Sequence, residues 1–144
     1  GAFGLLGNWL MSRRIESVGA DRAVMIGLAL MAVTLLAFPL GSTLVLGALV
    51  CVPWALGCFS SNSAQQARLV GIAPPLAAAS VALNSSAMYA GQAIGAASGG
   101  WLITAHGMAS LHWAGFAGLA AAIAVSALAT RYARRARRAA MAAS

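Results

Sequence analysis

The sequence is 144 residues long, 61% hydrophobic and 8% charged, with nine arginines, no lysine, two acids and a formal net charge of +7. A water-soluble domain carries about 25% charged residues, whereas this chain holds several uncharged apolar stretches of about 18 residues or more. Composition therefore excludes an ordinary soluble fold and predicts an all-α, polytopic membrane helix bundle.

In chain order, the first apolar run, Gly1 to Met11, would cover about 16 Å as a helix, half of a hydrocarbon core about 30 Å thick. It reads as a truncated span. The run leads directly into Arg13 and Arg14 and lacks the basic leader and small-residue cleavage pattern of a signal peptide. The loop that follows holds Glu16 and Asp21, the only acids, beside three arginines; salt-bridge glue and a gating latch are both open there.

Four full spans are expected at Val24 to Gly41, Leu44 to Gln65, Leu76 to Thr104 and Leu111 to Thr130. The connections are short: Gly41 and Ser42 make one turn, and Pro74 with Pro75 opens the next helix, where a missing N–H costs nothing. Pro53 inside the second full span predicts a kink. Cys51 and Cys58 lie in that same span, about 10 Å apart along a helix, too far to pair. They read as free membrane thiols.

If the spans alternate, Arg13, Arg14, Arg22, Arg68, Arg131, Arg134, Arg135, Arg137 and Arg138 all fall on one side. The positive-inside rule makes that side the cytoplasm, with a basic cytoplasmic tail over 131–144 at the end. The tail arginines set topology and touch anionic lipid rather than nucleic acid.

The spans differ in polarity. Val24 to Gly41 has Thr34 as its only polar side chain, and Leu111 to Thr130 has little beyond His112, Ser126 and Thr130. The other two gather Trp54, Ser60, Ser61, Asn62, Ser63 and Gln65, and Ser80, Asn84, Ser85, Ser86, Tyr89, Gln92 and Ser98. Carboxamides are costly against lipid and face a bundle interior or a watery cavity, so the polar pair is expected inside and the bland pair outside. At about 100° per residue, Trp54, Ser61 and Gln65 share a stripe with both cysteines. Asn84, Gly91, Gly95 and Gly99 share another, with Gln92 at its edge. Trp54, Ser61, Gln65, Asn84 and Gln92 are the candidate substrate-pathway residues, against the alternative of hydrogen bonds between helices. Gly91, Gly95 and Gly99, spaced by four, are candidates for close helix packing. His106 and His112 read as solvated loop residues flanking the outer connection.

The run Gln66-Ala67-Arg68, then Ala73-Pro74, Ala82-Leu83-Asn84-Ser85, Gly91-Gln92-Ala93-Ile94-Gly95 and Gly99-Gly100-Trp101-Leu102-Ile103 on to Gly107, resembles the tenth-to-eleventh-span region of major facilitator superfamily efflux permeases. The arabinose-efflux and multidrug:proton antiporter branch is the nearest in look. The resemblance implies a C-terminal fragment of one transporter domain, spans eight (partial) to twelve, with the tenth span lining a central cavity and the eleventh at the seam between halves. Gly7 to Arg22 also looks like the signature loop between spans eight and nine, although Asn8 stands where glycine is typical and Ser12 where aspartate is.

The implied activity is transport of a small sugar or drug-like molecule by alternating access, as efflux by proton antiport. An uptake symporter and a non-transporting membrane scaffold are the alternatives. The implied partners are the substrate, the lipid bilayer and earlier spans of the same protein. With no acid inside a span, a proton-carrying carboxylate would have to lie in those earlier spans. No cofactor, no metal and no nucleic acid are expected. Nor is an enzyme, since the chain lacks HExxH, a phosphate-cradling Gly-rich loop before a lysine, and an acid and base placed together at a membrane site.

Overall fold

The computed structural model describes residues 2–142, apart from the side chains at 2, 3, 8, 11, 12, 14–16, 137 and 140. The expectations placed on Gly1, Asn8, Ser12, Arg14, Glu16, Arg137 and the last two residues lie outside the described residues.

Five α-helices follow one another: α1 (Ala2–Val18), α2 (Ala20–Ala37), α3 (Leu44–Ile72), α4 (Ala77–His106) and α5 (Leu111–Ala142). Short 3-10 turns at Phe38–Leu40, Pro74–Leu76 and Met108–Ser110 join the last four. Gly19 breaks α1 from α2 at φ 84° and Gly107 ends α4 at φ 77°, left-handed values that a Cβ would strain. Thr43 caps α3, its Oγ1 accepting from the Leu46 N–H at 3.3 Å. That helix stops at Ile72 because Pro74 disfavours a helical residue before it.

α2 and α3 form the centre, α1 packs chiefly on α3, and α5 packs on α2. The α2–α3 crossing is built from small residues. A Cβ added to Gly57 would stand 2.5 Å from the Gly27 carbonyl oxygen, and one on Gly27 would stand 2.6 Å from Ser61 Cβ. Gly7 meets the Leu56 backbone of α3 in the same way. Such contacts let backbones approach where lipid offers no hydrophobic drive. Around the crossing, Ala23, Val24, Met31 and Ala64 are buried. The buried hydroxyls are satisfied on their own helices, Ser60 donating to the Leu56 carbonyl at 2.6 Å and Thr34 to that of Leu30 at 3.4 Å. At the opposite end from Gly19, Phe38 stacks on His112 with ring centroids 6.1 Å apart, so α5 runs antiparallel to α2.

Three helices are long and apolar enough to cross a membrane: Ala20–Leu40, Leu44–Ile72 and Met108–Ala136. α4, the expected span Leu76 to Thr104, has the length at 30 residues, but Asn84, Gln92 and its serines and glycines dilute its hydropathy. α1 has 17 residues. Leu44, Leu83, Ile94, Trp113 and Val125 are among the many large apolar side chains left exposed, a surface suited to lipid or further helices rather than water. α3 and α5 start at Leu44 and Leu111, where the expected spans start; α3 runs seven residues past Gln65, and the basic stretch from Arg131 continues α5 as helix to Ala142.

Candidate functional site

The added turns of α3 carry Arg68 out of the loop where it was expected and into the bundle, where it is 7% exposed. Two neighbouring helices hold its guanidinium. Nε lies 3.0 Å from Asp21 Oδ1 of α2, an ion pair without hydrogen-bond alignment. Nη1 donates to Ser126 Oγ at 3.1 Å and Nη2 to Thr130 Oγ1 at 3.1 Å, both on α5, with a longer bond from Nη2 to the Ser126 carbonyl at 3.4 Å. Thr130 Oγ1 in turn donates to the Ser126 carbonyl at 3.0 Å. The other carboxylate oxygen of Asp21 stands 3.8 Å from Arg134. Asp21 sits in the first turn of α2, where the helix dipole favours an anion. Loss of the Asp21 carboxylate would leave the buried Arg68 guanidinium without an opposite charge among the described residues.

A cavity of about 500 Å³ opens beside this node, between Gly19, Asp21, Arg22, Arg68, Ile72 and Arg134. A second, of about 340 Å³, lies among Leu10, Ile26, Leu30, Leu56 and Ser60 of α1, α2 and α3, and is apolar apart from the Ser60 hydroxyl.

Neither cavity is lined by the five expected pathway residues. Trp54 is 40% exposed on α3. Ser61 turns toward Gly27 of α2, and its hydroxyl donates to the Cys58 carbonyl at 3.1 Å. Gln65 is half-buried, its Oε1 inaccessible and without a hydrogen-bond partner among the described residues, a cost of about 1–3 kcal/mol for a carbonyl left unpaired. On α4, Asn84 is half-buried and Gln92 exposed. The chain's own helices thus do not enclose the two polar stripes together, because α4 touches the rest of the bundle only sparsely.

The glycine stripe is similarly open. Nothing among the described residues lies within 4 Å of a Cβ added at Gly91 or Gly95, and at Gly99 only Leu111 Cδ1 does, at 3.5 Å. Close backbone approach occurs instead at Gly7, Gly27 and Gly57. Its signal in the sequence was the run Gly57, Ser60, Ser61, Ala64 and Arg68, small residues at three- and four-residue steps that end in a charge. Cys51 and Cys58 are free and exposed. His112 is a helical residue of α5 rather than a solvated loop residue. Its ring lies between Phe38 and Trp113, with Nε2 buried and without a partner among the described residues.

These features define an all-helical bundle with the build of a membrane protein, its interior charge concentrated at one end. No protein-family model matches the chain, and no curated protein or solved structure matches it.

Proposed function

We propose that the chain belongs to a small-molecule transporter that works by alternating access, of the major facilitator superfamily kind that its sequence resembles. In this reading it effluxes a sugar or drug-like compound by proton antiport across the cell (inner) membrane, with the C-terminus in the cytoplasm. One observation carries the reading. α4 is as long as the three apolar helices beside it, yet it bears Asn84, Ser85, Tyr89 and Gln92 and is left almost wholly uncovered by them.

A helix of that composition is costly against lipid all round. At about 100° per residue its most exposed aliphatic side chains and its tryptophan, Leu83, Ile94 and Trp101, fall on one stripe, a face for lipid. In this reading Gln92 lies opposite that stripe and Asn84 and Gly95 lie about a quarter-turn round from it, toward water and toward further spans of the same protein.

The test uses the full-length protein in proteoliposomes with an acidic interior and a panel of sugars and drug-like amphiphiles. Antiport moves protons out as the compound moves in, so at least one compound is expected to raise the interior pH. Asn84→Ala should lower that flux about tenfold, the worth of one hydrogen bond to a neutral ligand, while Ile94→Ala leaves it unchanged. Silence across the panel, or an Asn84→Ala flux equal to that of the wild type, overturns the reading.

A further inference from the structure

The cavity at the arginine end takes no part in the transport reading. Its walls come from the same end of all three apolar helices: Asp21 and Arg22 in the first turn of α2, Arg68 and Ile72 in the last turns of α3, and Arg134 near the close of the apolar part of α5. In a bilayer that depth is the headgroup layer rather than the hydrocarbon centre. The lining side chains include three arginines and one aspartate, a net charge of +2 (3 − 1).

The charges are not equivalent. Arg68 is held by Asp21, Ser126 and Thr130 and has no freedom to reach a ligand. Arg134, 60% exposed, keeps only the 3.8 Å contact with Asp21, and Arg22 is exposed and makes no ion pair among the described residues. α2 also begins at Gly19 without a side-chain cap, so first-turn N–H groups open toward the same space.

We propose that this cavity holds the phosphate of an anionic phospholipid headgroup, with Arg22 and Arg134 as its ligands and the fixed Arg68 as its inner wall. The guanidinium fork matches phosphate oxygens in pairs, and a headgroup at this depth brings its phosphate level with the cavity while its acyl chains run down the apolar helices. Inorganic phosphate shares the chemistry but not the anchorage.

The full-length protein in mild detergent, where no charged surface competes, is titrated with phosphatidylglycerol, with phosphatidylcholine of the same chain length and with inorganic phosphate. Binding is read by native mass spectrometry. Phosphatidylglycerol is expected to bind at least about tenfold more tightly than phosphatidylcholine, and Arg22→Gln/Arg134→Gln to lose about 25-fold, fivefold for each arginine. Arg135→Gln/Arg138→Gln removes the same charge outside the cavity and should lose less than fivefold. Inorganic phosphate binding as tightly as the lipid, with the same dependence on Arg22 and Arg134, upholds the phosphate site and makes free phosphate its occupant. Equal losses in the two double variants, or no preference for the anionic lipid, overturn the proposal.

Discussion

Asp21→Asn is expected to lower the stability of the bundle by about 3 kcal/mol, the low end of the ~3–5 kcal/mol cost of breaking a buried ion pair. The low end applies because the Asp21 side chain is 34% exposed while that of Arg68 is 6% exposed. Without the carboxylate, the Arg68 guanidinium keeps two hydroxyls and a carbonyl but no opposite charge, and Arg134 loses its only ion-pair partner among the described residues. Adding Arg68→Met to Asp21→Asn should recover part of the loss, since removing both charges leaves nothing uncompensated. Denaturant unfolding in detergent, followed by tryptophan fluorescence, measures both. A single variant within about 0.5 kcal/mol of the wild type would place the pair in water and remove its structural role.

Gly57→Leu should cost about 3 kcal/mol or more and depress folded yield, at the upper end of the range for overpacking. The first added atom would already stand 2.5 Å from the Gly27 carbonyl oxygen, 3.1 Å from Leu30 Cβ and 3.2 Å from Met31 Cγ. The nearest of these is backbone, so α2 and α3 must separate along the crossing that the core is built on. The same unfolding assay, with size-exclusion recovery, reads the effect, and a Gly57→Leu protein of normal stability would mean that the two helices do not cross there. Leucine at Gly95 is the informative comparison. Nothing among the described residues faces that position, so a loss there would report a covering helix from elsewhere in the protein.

What was legible in the sequence was whatever depends on one helix at a time. Apolar runs, the Gly41–Ser42 turn and the Pro74–Pro75 pair mark where helices start and stop, because turn residues and proline act within a turn or two. The end of α3 was missed because Arg68 looks like a loop residue to any reading that treats charge as solvent-facing. Its burial depends on Asp21, 47 positions earlier, and on Ser126 and Thr130, 58 and 62 positions later, and no local pattern states that pairing.

The glycines divide for the same reason. Gly91, Gly95 and Gly99 advertise close packing by spacing alone, yet Gly27 and Gly57, outside any such four-residue series, are among those that another backbone meets. Of the pathway residues, the polar character of α3 and α4 was plain, but Ser61 faces α2, which only the crossing decides.

The transport reading rests on water reaching the polar face of α4. After Cys51 and Cys58 are replaced by alanine, single cysteines at Asn84, Gln92, Ile94 and Ile123 in the full-length protein are exposed to a small, membrane-impermeant thiol reagent. Asn84→Cys and Gln92→Cys should react and be protected by a transported compound, while Ile94→Cys and Ile123→Cys, at apolar positions away from that face, stay inert. Inertness at all four positions would contradict the account, since the carboxamides of α4 would then only join helices to one another.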